Sequence, residues 1–225
     1  MQSLQEFFNQ YGALLFEGTI QTLIMILVPT ILAYLVGLPL GVLLSITKKN
    51  GLMPAPKLDA IVGWLVNIGR SIPFIILMVA LMPLTLKIMG SGIGTRGAIF
   101  PLFVGSAPFV ARMVEQSIEE VDGGMIEAAQ AFGASISQTI MKVIIPESLP
   151  SIIRGLSITM ITIFGYSAIA GAIGAGGLGD IAIRYGYYRY QGLVMAAAII
   201  LSIILIQAIQ MFCDFLVVKI DKRNQ

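Results

Sequence analysis

Histidine is absent from this sequence, and cysteine occurs only once, as Cys213. A single cysteine excludes an internal disulfide, and the lack of histidine excludes metal sites rich in histidine or cysteine. The acidic residues are scattered along the chain, so no catalytic triad, dyad or metal cluster can be assembled from them. We therefore predict that the chain is not an enzyme.

Charged residues are scarce as well. They make up 12% of the 225 residues, against about 25% in an ordinary soluble domain. Hydrophobic residues make up 57%, and the mean hydropathy is +0.90, so much of the surface must face lipid. The net charge of +2 does not indicate a nucleic-acid-binding surface. The N-terminal residues lack a basic segment followed by an apolar core, so we predict no cleavable signal peptide.

Five apolar stretches are long enough to cross a bilayer as helices. They are predicted at residues 19–46, 61–86, 98–118, 149–172 and 193–218. The sequence therefore predicts an all-α integral membrane protein with five transmembrane helices. Residues 1–17 are predicted to form an interfacial, extracytoplasmic helix, residues 18–218 the transmembrane domain, and residues 219–225 a basic tail.

The basic residues predict the orientation, because cytoplasmic loops of membrane proteins carry an excess of Lys and Arg. With five spans, one side of the membrane collects Lys48, Lys49, Lys57, Arg112, Lys142, Arg154, Lys219, Lys222 and Arg223. The other side collects only Lys87, Arg96, Arg184 and Arg189. We predict that the first side is cytoplasmic, with the N-terminus outside and the C-terminus inside.

The loop at residues 119–148, between the third and fourth spans, is the largest polar interruption of the chain. It predicts two short helices hinged at Gly133 and a helix end at Pro146. Ser135 is predicted to cap the second helix, and Phe132 resembles the aromatic anchors that fill a partner's pocket. An ordinary amphipathic helix pair lying on the membrane is the alternative.

A glycine-rich run, GAIGAGGLG, follows the fourth span at residues 171–179. Gly174, Gly176 and Gly179 match GxGxxG literally, but the run follows a membrane helix, not a strand, so we reject a dinucleotide site. No Gly-Lys pair occurs anywhere, which excludes a phosphate-binding P-loop. The run predicts either a closely packed helix end or a cap at the outer mouth of a pathway.

Arg70 is the charged residue predicted to lie deepest within a span. An intramembrane arginine either lines a functional cavity or snorkels to the interface, and the sequence leaves both open. Ser71, Pro73 and Phe74 follow it and predict a kink at this point.

Several motifs together resemble a known family. Glu127-Ala128-Ala129, Gly133 and Val143-x-Ile145-Pro146 resemble the EAA motif of bacterial ABC importer permeases, with conservative departures at Val143 and Ile145. GRSIPFIIL (69–77), GSAPFVARMVE (105–115), PESLP (146–150) and GYSAIAGAIGAGGLG (165–179) resemble the permease subunits of methionine importers. The likeness covers nearly the whole chain, from about residue 18 to the fifth span.

The resemblance implies a type I importer in the bacterial cell membrane that takes up methionine, D-methionine included. Two copies of the chain would pair with two ATPase subunits, which bind ATP and Mg²⁺, and an extracytoplasmic binding protein would deliver the substrate. No cofactor is expected in this chain.

The resemblance also implies roles for individual residues. The coupling helix that contacts the ATPase would comprise Glu127, Ala128, Ala129, Phe132, Gly133 and Ala134. The pathway or gate would include Arg70, Ser71, Pro73, Tyr166, Ser167, Ile169 and Ile173. Contacts with the binding protein would involve Gly174, Gly176, Gly177, Arg184 and Tyr187.

Two other functions remain open at this stage. An ATP-independent secondary carrier or channel would usually show internal repeats and polar groups near the midplane, and no repeat is found. A membrane scaffold for a signalling ATPase would show no dependence of ATP hydrolysis on a substrate.

Overall fold

The computed structural model describes residues 4–221, and every regular element in this range is a helix. The predicted all-α class is confirmed. The helices are α1 (Leu4–Thr47), α2 (Pro56–Ser71), α3 (Phe74–Met89), α4 (Gly94–Glu119), α5 (Gly123–Ala131), α6 (Ile136–Thr139), α7 (Ile145–Ala170), α8 (Gly177–Ile181) and α9 (Gly192–Ile220). π-helical turns span Ile140–Ile144, Gly171–Ala175 and Ala182–Tyr187.

Four stretches of the described chain are long and apolar enough to cross a membrane: Gln5–Thr47, Gly94–Glu119, Ile136–Ala175 and Gly192–Ile220. The predicted span at 61–86 is not one continuous helix. It is bent at a break between α2 and α3, and the pair counts as a fifth span only if both helices cross together. The kink predicted at Ser71–Pro73 is confirmed, because Pro73 precedes the first residue of α3.

Residues 4–17 do not form a separate helix, because α1 continues through Gly18 without interruption. At about 1.5 Å per residue, the 44 residues of α1 reach roughly 66 Å. Phe7 and Leu15 are buried in a cluster with Ile181 and Val194. One side of this segment therefore packs against protein, whereas Phe8 and Phe16 are exposed.

The predicted helix end at Pro146 is wrong. The chain is helical from Ile136 through Ala175, and Pro146 lies in the first turn of α7. Proline removes one i→i−4 hydrogen bond, and the π-helical turn Ile140–Ile144 directly precedes it. Because a π-turn already departs from the i→i−4 pattern, the proline is accommodated without ending the helix.

The chain divides into two compact units. The first unit comprises the segments up to Leu32, Ile72–Ser106 and Met160–Ile209. Its core includes Met25, Met78, Leu102 and Ile163. The rings of Phe74 and Tyr166 stack in this unit with centroids 4.5 Å apart and an interplanar angle of 7°.

The second unit comprises Ala33–Ser71, Ala107–Thr159 and the residues from Gln210 onward. Leu44, Val66 and Ala111 form a buried cluster in it. A Cβ atom on Gly41 would lie 2.5 Å from the carbonyl oxygen of Ala111, and one on Gly37 would lie 2.7 Å from Val110. The GxxxG spacing of α1 therefore permits close contact with α4.

Candidate functional site

The loop that the sequence singled out begins with a capped helix. The Asp122 carboxylate accepts a hydrogen bond from the Gly124 N–H at 2.7 Å and so caps α5. Val121, directly before it, is buried, and its N–H bonds to the Ile118 carbonyl at 3.1 Å. The turn between α4 and α5 is therefore short and ordered.

Gly133 ends α5, as predicted, with a φ of +80°. The Gly133 N–H donates to the Gln130 carbonyl at 2.9 Å, and the Ala134 N–H donates to the Ala129 carbonyl at 3.0 Å. These two bonds are the Schellman pattern, in which a glycine in the left-handed region closes a helix. Gly133 therefore forms a hydrogen-bonded turn of fixed conformation after α5.

Ser135 caps α6, which confirms the predicted cap. Its hydroxyl accepts from the Gln138 N–H, and the Gln138 side chain accepts from the Ser135 N–H, which makes a complete capping box. Backbone hydrogen bonds on both sides of Gly133 therefore hold the turn in one conformation.

Phe132 is the most exposed large hydrophobic residue in the loop, with a relative accessibility of 92%. Glu127, Ala128 and Gly133 are exposed beside it, and Ala129 and Ala134 are half-buried. A rigid turn that presents a bare aromatic ring has the form of an anchor for a partner's pocket.

Glu127 also lines a cleft of about 420 Å³ beneath α5. The cleft is bounded by Lys48 and Asn50 after α1, by Glu119 at the end of α4, and by Gln130. Charged groups of both signs therefore lie beside the exposed face of the loop.

The gate candidates lie in two places. Arg70 and Ser71 are exposed at the end of α2, where the Ser71 hydroxyl donates to the Asn67 carbonyl at 2.8 Å. Within residues 4–221, the side chain of Arg70 makes no hydrogen bond or ion pair. Pro73 is exposed at the start of α3. The structure therefore agrees with the kink but assigns Arg70 no partner.

The remaining gate candidates lie on α7 and the turn that follows it, in the first unit. Tyr166 is half-buried against Phe74, and Ser167 is buried with its hydroxyl donating to the Phe164 carbonyl at 2.8 Å. Ile169 and Ile173 are exposed. The last two side chains are free to face a pathway or a partner.

The glycine run is a packed helix end. Gly174, Gly176 and Gly177 all have positive φ. The Gly177 N–H donates to Gln21 Oε1 at 2.7 Å, and the Leu178 N–H donates to Thr22 Oγ1 at 2.9 Å. The sequence allowed either a closely packed helix end or a cap at the outer mouth of a pathway. The closely packed helix end accounts for this geometry.

Of the residues predicted to meet a binding protein, Gly174, Arg184 and Tyr187 are exposed, Gly176 is half-buried and Gly177 is buried. Arg184 forms an ion pair with Asp180 at 2.5 Å. An external protein could therefore reach the two side chains and the Gly174 backbone more readily than Gly177.

The sequence alone missed one cluster of charges. Lys48 forms ion pairs with Glu119 and, at 2.8 Å, with Glu115. Arg112 Nη1 lies 2.6 Å from the other oxygen of Glu115. The spacing of Arg112, Glu115 and Glu119 indicates that they share one face of α4. Nothing in the sequence indicates that Lys48 joins this cluster.

Comparison with known proteins gives consistent results. The family of binding-protein-dependent transport system inner membrane components matches residues 37–223. The chain is 46% identical, over 98% of both sequences, to the probable D-methionine transport system permease protein MetI of Vibrio cholerae serotype O1. It is 43% identical to the methionine import system permease protein MetP of Bacillus subtilis, over 80% of this chain and 82% of that protein.

A solved structure of inward-facing conformations of the MetNI methionine ABC transporter is also similar to this chain. It matches with a TM-score of 0.93 and 43% identity over 99% of this chain and 100% of the solved one. The chain belongs to the family of binding-protein-dependent transport system inner membrane components.

Proposed function

We propose that this chain is the permease subunit of an ATP-driven methionine importer and that its α5–α6 loop docks on a separate ATPase. The observation that carries the docking proposal is Phe132, which is 92% exposed on a turn fixed by hydrogen bonds. The chain itself is a multi-pass inner-membrane permease and not an enzyme. ATP and Mg²⁺ belong to the partner subunit.

The proposed orientation places the loop in the cytoplasm, where an ATPase would be. If α2 and α3 together cross the membrane once, the chain has five spans and its termini lie on opposite sides. The loops with the larger excess of Lys and Arg are then cytoplasmic. The α5–α6 loop falls on that side.

The proposed mechanism is mechanical. ATP binding closes the ATPase dimer and draws its two docking grooves together. The α5–α6 loop follows because Phe132 is seated in such a groove and because the turn at Gly133 is rigid. The permease halves then rock against each other, opening the outer side and closing the inner one. Hydrolysis of ATP reverses the movement.

A homodimer is proposed because five helices are few to enclose a path for an amino acid. The pathway would lie between two copies of the chain. Ile169 and Ile173 are exposed and, together with Tyr166, are proposed for the outer gate. The exposed Arg184 and Tyr187 are proposed to contact the extracytoplasmic binding protein.

Methionine, including its D-isomer, is the proposed substrate, since the relatives' names specify it. A secondary carrier driven by protons or ions would need an ionisable acid free within a span. Glu115, the most buried acid, has both carboxylate oxygens within ion-pair distance of a basic residue. Asp214 is exposed and lies near the end of α9, not at its middle. The ionic coupling that a carrier needs is therefore less well supported than ATP coupling.

Reconstitution tests the proposal. The chain, its ATPase and its binding protein are placed in proteoliposomes, and uptake of labelled methionine is measured with ATP and with a non-hydrolysable analogue. We expect uptake only with ATP. Uptake that continued without ATP would favour the carrier, and ATP hydrolysis that ignored methionine and the binding protein would favour a scaffold.

A further inference from the structure

The charge cluster at the end of α4 joins three helices of the second unit. Arg112, Glu115 and Glu119 are spaced three and four residues apart, so they lie on one face of α4. Lys48, the first residue after α1, reaches both acids. Arg112 reaches α2, where it donates to Asn67 Oδ1 at 3.0 Å and to the Gly63 carbonyl at 3.3 Å.

Glu115 is the shared member of this cluster. Its side chain is 3% exposed, and its two oxygens face different cations, Lys48 at 2.8 Å and Arg112 at 2.6 Å. Removing one partner of a buried ion pair leaves an uncompensated charge and is far more disruptive than losing a surface pair. Loss of the Glu115 charge would leave Lys48 paired with Glu119 alone. It would also leave Arg112, which reaches α2, without its carboxylate partner.

The cluster lies directly beside the docking loop. Glu119 is the last residue of α4, and α5 begins at Gly123 after the ordered turn at Val121. Lys48 and Glu119 line the same cleft as Glu127 of α5. If α5 moves, the end of α4 is therefore the first part of the permease that moves with it.

We infer that Glu115 is a positioning residue that makes the cytoplasmic ends of α1, α2 and α4 move as one body with the docking loop. The close contact of Gly37 and Gly41 with α4 supplies shape complementarity, and the ion pairs of Glu115 fix the ends against sliding. This inference rests on the proposed function, and it assigns Glu115 a role in force transmission and none in ATPase binding.

The test uses the reconstituted complex with its ATPase and binding protein, and its readout is methionine taken up per ATP hydrolysed. Glu115→Gln keeps the shape and removes the charge. Lys48→Met removes the α1 connection at a residue that is 38% exposed, so its folding is less at risk. The neighbouring exposed Lys49→Met is the matched control, and Lys48→Arg is the conservative variant.

We expect Glu115→Gln and Lys48→Met to lower the ratio roughly threefold or more, within the range by which coupling mutations act. The affinity of both variants for the ATPase should stay unchanged. Lys49→Met should behave as wild type, and Lys48→Arg should keep most of the wild-type ratio. The double variant should fall short of the combined effect of the two single variants, because both of them remove the Lys48–Glu115 ion pair.

An unchanged ratio in both variants would overturn the inference. This outcome includes an equal fall in uptake and hydrolysis, which marks a purely structural role. These failures differ from failure of the proposed function. Wild-type complex that took up methionine without ATP would contradict the proposed importer. A normal wild type together with an unaltered ratio in Glu115→Gln would contradict only the positioning role of Glu115.

Discussion

The backbone N–H of Ser135 donates to Oε1 of Gln138 at 2.8 Å, and the N–H of Gln138 donates back to Oγ of Ser135 at 3.3 Å. This reciprocal pair satisfies two donors at the start of α6 that would otherwise have no helical partner. Together with the Schellman bonds of Gly133, it keeps Phe132 at the surface in a single orientation. The hydrogen bonds of the surrounding backbone therefore hold Phe132 in its exposed position.

Ser135→Ala should loosen this turn. Loss of a helix cap costs about 1 kcal/mol, which is roughly a fivefold change in an equilibrium population. We expect faster amide hydrogen exchange over residues 136–139, measured by mass spectrometry. Ser137→Ala is the control, since the exposed Ser137 hydroxyl makes no cap bond; equal acceleration in both variants would count against the capping box.

Gly133→Ala should weaken ATPase binding through the backbone alone. No atom lies within 4 Å of a Cβ added at Gly133, but its φ is +80°, and a left-handed alanine costs roughly 1–2 kcal/mol. Gly133→Asn should be milder, because asparagine tolerates this region better. Gly123→Ala, equally free of clashes and without positive φ, should bind the ATPase normally.

Equilibrium binding of the purified ATPase to the three glycine variants in detergent provides the measurement. The expected order of affinity is Gly123→Ala, then Gly133→Asn, then Gly133→Ala. Wild-type affinity for Gly133→Ala would show that the docked loop does not require this turn.

The sequence predicted the elements whose signals are local. The third and fifth spans, expected at 98–118 and 193–218, are α4 (Gly94–Glu119) and α9 (Gly192–Ile220), because long and mostly apolar runs indicate membrane helices. The hinge at Gly133 and the cap at Ser135 were predictable for the same reason, since each depends on the residue type at one position.

The rest could not be predicted from the residue type at one position. Residues 4–17 continue α1 without a break, and Phe7 and Leu15 pack in one cluster with Ile181 and Val194, which lie far away in sequence. Pro146 normally ends a helix, but the π-turn before it accommodates the missing donor. The pairing of Lys48 with Glu115 joins residues remote in sequence, which no pattern in a single sequence reveals.

Gly176→Ala should destabilise the first unit. The φ of +82° at Gly176 strains any side chain, and an added Cβ would lie 2.4 Å from Oε1 of Gln21, the atom that accepts the Gly177 N–H. The strain alone costs of order 1–3 kcal/mol. We expect a lower melting temperature in detergent, whereas Gly165→Ala, with open space at its Cβ, should melt as wild type; matching melting curves would refute the packed helix end.

The Lys48 ion pairs should stabilise the fold equally across neutral pH. Burial lowers the pKa of Lys48, but hydrogen bonds and charges from Glu115 and Glu119 outweigh it and raise the pKa above 10.5. A raised pKa contributes stability that is complete below the unfolded value and is lost only as pH rises through the folded value. The difference in melting temperature between wild type and Lys48→Met should therefore be equal at about pH 6 and about pH 9. A difference that vanished by pH 9 would contradict this assignment.

The most direct test of the docking proposal is Phe132→Ala in the reconstituted transporter. The ring is exposed, so the variant should fold as wild type, and loss of an interface anchor typically costs about 2 kcal/mol or more, roughly thirtyfold in affinity. Tyr188→Ala, an exposed aromatic on the opposite proposed side, is the control. We predict that Phe132→Ala loses ATPase co-purification and ATP-dependent methionine uptake. Tyr188→Ala, whose ring lies against Tyr187 of the proposed binding-protein surface, should keep ATPase co-purification. Normal ATPase binding and uptake by Phe132→Ala would contradict the account.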